Sequence, residues 1–274
     1  TEVPGKTTQA ISSSIFLQLS TNTSFAPPSM SASQYLSSLF GLGGKVALVT
    51  GGSTGIGREM GVALGRAGAQ VILVARRKPQ LDEAVHHLHG FGVQAFGLAI
   101  DVREALAVKD SVMSQHGLPD ILVNAAGTNP RPHMDELTQK EWDDIIEINL
   151  TAPFKLGQAF GPAMAQRGSG RIINIVSQQA FRAYGNSGGY GASKAGLVGL
   201  TRSQAEAWSP RGVLCNAIAP GVVDTPMTAA VFNDSEKAQR HAARTLIGRN
   251  GLPKDFAGAV VYLASNASEA VTGQ

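Results

Sequence analysis

The stretch Val46-Ala47-Leu48-Val49-Thr50-Gly51-Gly52-Ser53-Thr54-Gly55-Ile56-Gly57 decides the fold. A short β-branched run reads directly into a glycine-rich turn, and the turn opens an amphipathic stretch near 56–67. Strand, glycine turn and helix in that order form the setting of a dinucleotide loop. Glycines at Gly51, Gly55 and Gly57 allow the backbone to approach a pyrophosphate, and Ser53, Thr54 and Ile56 bring the unpaired N–H groups of a helix N-terminus to the anion. Taken alone the signal is weak, because a chain with 32 glycines makes such clusters in ordinary turns.

Outward from this turn, apolar runs at Val71–Ala75, Ala95–Ile100, Ile121–Asn124, Ile172–Val176 and Val213–Ile218 read as further strands. Amphipathic stretches near 79–89, 103–115, 138–167, 189–208 and 235–247 alternate with them. Near-continuous apolar strands are covered on both faces, so the expectation is an α/β fold, a single-domain doubly wound parallel sheet of Rossmann-like form with helices on both faces. Six such units in about 200 residues leave no separate substrate domain, and cofactor and substrate share the carboxyl ends of the strands. Residues 1–44 differ. They are rich in Ser and Thr, carry Pro27-Pro28, have Glu2 and Lys6 as their only charges, and read as a flexible N-terminal arm before a domain at 45–274; a processed targeting segment is the alternative reading.

Composition excludes several classes. A net charge of +3, dispersed beyond residue 44, does not suit nucleic acid or a membrane surface as main partner. No apolar run approaches the roughly 20 residues that cross a bilayer, and the chain reads as cytoplasmic. The single cysteine, Cys215, reads as a small buried strand residue. His86, His87 and His89 lie in a polar helix with no cysteine or carboxylate at ligand spacing, so no metal is expected.

Farther along, Tyr190-Gly191-Ala192-Ser193-Lys194 places a phenol and an ammonium on one helix face, thirteen residues after Ser177 at the end of a strand. A positive charge at ~4 Å in an effective dielectric of about 20 favours a phenolate by ~4 kcal/mol, or ~3 pK units. Lys194 is thus expected to bring Tyr190 toward neutrality. Arg76-Arg77-Lys78 follows Ala75, where an NAD site usually carries an acid for the ribose 2′-hydroxyl; cations there suit a 2′-phosphate, so NADP is preferred over NAD, with Arg76 and Ser53 as its contacts.

With the turn Thr50-Gly51-x-x-x-Gly55-x-Gly57, the pair Asp101-Val102, the string Asn124-Ala125-Ala126-Gly127 and the segment Pro220-Gly221-Val222-Val223-Asp224-Thr225, the chain from about Lys45 onward resembles the short-chain dehydrogenase/reductase family. The resemblance implies hydride transfer between NADP(H) and an alcohol or carbonyl. It implies that Ser177 bonds the substrate oxygen, that Tyr190 exchanges its proton, and that Lys194 holds the nicotinamide ribose. Asn149 would kink its helix and position water, Asp101 and Val102 would contact adenine, Asn124 to Gly127 would support the sheet, and Pro220, Gly221, Val223 and Thr225 would hold the carboxamide. Arg131 resembles the arginine of sugar-acid dehydrogenases such as gluconate 5-dehydrogenases; with Gln178, Arg182 and Tyr184 it forms the expected substrate set for a small polyol, sugar acid or keto compound. A keto-acyl reductase and a catalytically silent NADP-binding regulator are the alternatives. The resemblance also implies a homo-oligomer, tetramer or dimer, and a last strand and Gly-rich tail beyond Val271–Gln274. Residues 225–247 read as a lid that excludes water on closing.

Overall fold

The computed structural model describes Thr1 and residues 30–186 and 188–274. Helix α1 (Ala32–Phe40) starts with a reciprocal cap in which Ser31 Oγ accepts from Gln34 N at 3.2 Å and Gln34 Oε1 accepts from Ser31 N at 2.9 Å. Residues 32–40, inside the stretch expected as an arm, are therefore helical, while residues 2–29 of that expectation lie outside the described residues. Core packing begins before Lys45, because Leu42 is buried and its amide bonds to Ala67 O at 2.7 Å.

The chain continues as β1 (Val46–Thr50), α2 (Gly55–Arg66), β2 (Gln70–Val74), α3 (Lys78–His89), β3 (Ala95–Leu98), α4 (Ala105–His116) and β4 (Ile121–Asn124). Beyond these come α5 (Gln139–Ile146), α6 (Ala152–Arg167), β5 (Gly170–Ile175), α7 (Gly188–Trp208), β6 (Val213–Ile218), the short α8 (Ala229–Phe232), α9 (Ser235–Ala242) and α10 (Ala257–Ala264). All six strands pair parallel in the order β3-β2-β1-β4-β5-β6. That order reverses between β1 and β4, which opens a crevice at their carboxyl ends.

Period-two alternation sends side chains to both faces of the sheet. Ala47, Val49, Val71 and Leu73 pack against α2, α3 and α10, whereas Leu48, Ile72 and Val74 pack against α4, α6 and α7. Each large side chain so buried contributes about 1.5–3 kcal/mol, and Leu64, Leu88 and Phe160 are wholly enclosed. Cys215 is buried in the second of these cores, where burial pushes its thiol up to about 12.

Sequence and structure part in four places. The expected strand at 95–100 stops at Leu98, because Ile100 N bonds back to Leu98 O. The single helix at 138–167 is α5 and α6 joined by a widened π-turn at Glu147–Thr151. The helix at 235–247 ends at Ala242 and tightens into turns that Thr245 Oγ1 closes by donating to Ala242 O and Arg249 O. Helix α10 was not expected; its run Ala-Gly-Ala-Val-Val-Tyr-Leu-Ala carries no polar face, because its exposed positions are Gly258, Ala259 and Tyr262 while Val260, Leu263 and Ala264 face the core. The final residues lie along β6, with Gly273 N bonded to Cys215 O and Gln274 O to Ala217 N.

Candidate active site

Thr50, the last residue of β1, sets the crevice. Its Oγ1 accepts from the amides of Ala125 and Ala126, each at 3.2 Å, and thereby ties the turn after β4 to the turn after β1. Gly51 then sits at φ +65° against this backbone, so close that a Cβ would lie 2.7 Å from Ala126. Gly57, inside α2, would place a Cβ 2.4 Å from Gly51 O. The Thr54 side chain makes no capping bond, so the amides that open α2 face the cleft uncapped. A cradle that only glycine can form, at an uncapped helix N-terminus, fits a dinucleotide pyrophosphate.

One cleft joins this cradle to the reactive residues. It is lined by Gly51, Ser53, Thr54, Gly55, Ile56, Gly57, Arg76, Asp101, Val102, Ala125, Ala126, Gly127, Ser177, Tyr190, Lys194, Pro220, Gly221, Val223 and Thr225. Arg77, Ile148, Ile175 and Met227 line it as well and had not been assigned a role from the sequence. Near its β2 end, burial would raise the Asp101 carboxyl, but bonds from Arg103 and the Arg76 charge at 3.8 Å hold it below the usual carboxylate range. Arg76 is the more exposed of the two arginines and reaches Asp101 only loosely, which leaves it available to an anion.

Two predicted residues stand behind the cleft rather than in it. Asn124 Nδ2 donates to Asn174 Oδ1 at 2.8 Å, and Asn174 Nδ2 donates in turn to Thr201 and Gln204 on α7. This buried amide chain fixes the helix that carries Tyr190 and Lys194. Asn149 sits in the π-turn, fully enclosed, and spends its amide on protein groups: Oδ1 accepts from Thr128 N at 2.8 Å while Nδ2 donates to Thr128 O and Ser193 Oγ. Its immediate effect is to hold the backbone after Gly127 beside Lys194.

Tyr190 and Lys194 share one face of α7, with the ammonium 5.7 Å from the phenol ring centre. Lys194 Nζ donates to Ile175 O at 2.7 Å, and burial lowers its pKa to about 8. Burial also raises the Tyr190 hydroxyl above its ordinary value, against a hydrogen bond with Ser177 and the charge of Arg131. The expected pull of Lys194 toward a neutral-range Tyr190 is therefore not present in this structure. Desolvation outweighs it, and the ammonium is turned to a carbonyl rather than to the phenol.

The four expected substrate residues sit at the rim, outside the lining of the main cleft. Gln178 lies beside the Pro220–Gly221 turn, its amide bonded to Pro220 O, and its side chain accepts from Arg182. Tyr184 Oη is 2.6 Å from His241 Nδ1, and the two rings stack at 5.6 Å. Arg131 holds φ +60° between Pro130 and Pro132, a left-handed conformation that costs a non-glycine residue about 1–3 kcal/mol. Among the described residues no cluster of three His, Cys, Asp or Glu has metal-holding geometry, and no helix is long and apolar enough to cross a membrane.

Comparison with known proteins agrees with this geometry. The family described as short chain dehydrogenase matches residues 45–236. A gluconate 5-dehydrogenase of Gluconobacter oxydans (strain 621H) is 38% identical over 239 residues, 86% of this chain and 93% of that protein. A 3-oxoacyl-(acyl-carrier-protein) reductase FabG of Vibrio cholerae is 37% identical over 236 residues, 85% of this chain and 95% of its own length. Among solved structures, a gluconate 5-dehydrogenase from Burkholderia cenocepacia J2315 in complex with NADP and tartrate superposes with a TM-score of 0.82 at 32% identity, covering 87% of this chain and 94% of that one.

Proposed function

Because the chain belongs to the short-chain dehydrogenase family, we propose that it is an NADP(H)-dependent oxidoreductase interconverting an alcohol and a carbonyl on a small polyol, sugar acid or keto compound. The observation that carries this reading is a phenol bonded to Ser177 beside a buried ammonium, at the end of the cleft that the glycine cradle opens. The turn from Gly51 to Gly57 would hold the pyrophosphate, Ser53 and Arg76 the 2′-phosphate, Asp101 and Val102 the adenine, and Lys194 the nicotinamide ribose. Pro220, Gly221, Val223 and Thr225 would take the carboxamide.

When bound, the nicotinamide gives or takes the hydride at the reacting carbon. Ser177 Oγ donates a hydrogen bond to the substrate oxygen. Tyr190 gives its proton to that oxygen in reduction and takes it back in oxidation. Burial keeps Tyr190 protonated at neutral pH, which suits an acid waiting for a carbonyl. Lys194, with its pKa at about 8, still carries its charge at pH 7, where it would hold the nicotinamide ribose. Asn149 fixes the Thr128 backbone that walls the site.

Sugar acids are favoured as substrates because the positive charge of Arg131 is felt at Tyr190, and a guanidinium suits a carboxylate. Reduction of carrier-bound keto-acyl chains is the second reading, favoured by the near-equal identity to the Vibrio cholerae reductase. Helix α6 leaves Phe154 exposed, which supports self-association. The test follows absorbance at 340 nm with NADPH against 5-keto-D-gluconate, simple keto acids, aldehydes and acetoacetyl thioester. Tyr190→Phe should lower kcat by about 10²–10⁴ and leave NADPH affinity within threefold; equal turnover by variant and wild type removes the mechanism.

A further inference from the structure

Two cations and one carboxylate meet at the β2 and β3 end of the cleft: Arg76, Arg103 and Asp101. Asp101 follows β3 in a tight turn, where its Oδ1 accepts from Arg103 N at 3.0 Å and its carbonyl accepts from Glu104 N at 2.9 Å. That turn fixes the carboxylate, whose side chain is only 14% exposed. Its other oxygen, Oδ2, has two guanidinium neighbours. Arg103 Nη2 donates to it at 2.8 Å, whereas Arg76 Nη1 stands off at 3.8 Å. The first is a hydrogen bond and the second is not.

Arg103 is itself braced, because its Nη1 lies 3.8 Å from Asp144 Oδ1 on α5. Burial would raise the Asp101 carboxyl; among the effects that hold it low, the bonds from Arg103 come first and the Arg76 charge last. Asp101 is thus committed to Arg103. Arg76 keeps one long ion pair among the described residues, and 62% of its side chain is exposed. Arg76, Arg77 and Asp101 line the cleft, while Arg103 lies outside that lining. An anion entering there meets Arg76 itself and Arg103 only through Asp101. Without Arg103, the vacated oxygen of Asp101 would draw Arg76 into the short, charge-assisted bond that Arg103 now makes, and Arg76 would no longer be free for another anion.

Resting on the NADP(H) reading above, we propose that Arg103 is a positioning residue for cofactor choice: by occupying the Asp101 carboxylate it keeps Arg76 disengaged and open to the 2′-phosphate that distinguishes NADPH from NADH. Arg103 acts through Asp101 and Arg76, with no contact of its own to the phosphate. The sequence did not single it out, since it opens the stretch 103–115 and reads there as an ordinary helical charge.

The matched probes are NADPH and NADH, which differ only in the 2′-phosphate, so the ratio of their Kd values cancels every change common to both. Measured by fluorescence, wild type should bind NADPH at least tenfold more tightly. Arg103→Gln should cut that preference about fivefold by weakening NADPH, with the NADH Kd within twofold, and Arg103→Lys should restore most of it. The same Arg103→Gln change should move the ratio less than twofold in an Asp101→Asn protein, which has no charge to capture Arg76, and in an Arg76→Gln protein, which has nothing to capture. Asp101 would contact the adenine of both cofactors, so its own loss cancels. An undiminished preference in Arg103→Gln, or a fivefold fall that persists in either background, overturns the positioning role alone and leaves the NADP(H) reading standing. A wild type that binds NADPH no better than NADH refutes both.

Discussion

The nucleotide side of the cleft and its substrate side are built on different principles. On the nucleotide side the shape is made by main chain: glycine against backbone at Gly51 and Gly57, an uncapped helix end, and Thr50 stitching two turns together. Asp101 there is partnered by Arg103 and Arg76. On the substrate side the shape is made by side chains on loops, with Arg182 donating to Gln178 and Tyr184 stacked on His241. A backbone site recognises what every ligand of a class shares, whereas a side-chain rim recognises what sets one ligand apart.

The strongest way to break this contrast is a pair of glycines in the cofactor cleft, one set against backbone and one in open space. Gly57→Val forces a branched side chain toward a backbone oxygen 2.4 Å from its Cβ, so NADPH affinity measured by fluorescence should fall at least a hundredfold. Gly221→Ala meets only Gln178 Oε1 at 3.9 Å and should leave that affinity within threefold. Comparable effects of the two would show that backbone shape does not govern the nucleotide side. A smaller effect is expected at Arg76, where Arg76→Asp should reduce the preference for NADPH over NADH in kcat/KM by tenfold or more. An unchanged ratio would move phosphate recognition to Ser53 or Arg77.

The smallest effect sharpens the comparison at Lys194, where the two sides meet. Its pKa in the folded chain is about 8 against 10.5 for a free lysine, so between those values the unfolded chain holds a proton that the folded chain has shed. Stability therefore rises with pH across that window, by at most about 1.4 kcal/mol per pH unit. Lys194→Met removes the slope. Urea unfolding at pH 7, 8 and 9 should show the variant's advantage shrinking as pH rises, because the cost of burying an ammonium disappears with its charge. Tyr190 and Cys215, both raised by burial, are common to the two proteins and cancel in the difference.

Much of the nucleotide side could be read from the chain. Strand, turn and helix come within a dozen residues of one another, and a glycine required by a positive φ or a close approach has few substitutes. Tyr190 and Lys194 were legible for the same reason, since four-residue spacing on a helix fixes a shared face. Helix α10 was not, because its solvent-facing positions carry Gly258, Ala259 and Tyr262, and without polar residues there the period that announces a helix is lost. Nor was the work of Asn149. Its amide bonds to Thr128 and Ser193, residues 21 and 44 positions away that only folding brings near.

By itself, then, the order of residues announced the strands, the glycine turn and the reactive pair, each written in patterns a few residues apart. Tertiary structure alone decided the direction in which burial moves Tyr190, the carbonyl that Lys194 chooses, and the stacking of Tyr184 on His241. Those properties depend on desolvation and on contacts between distant segments, and neither exists until the chain has closed on itself.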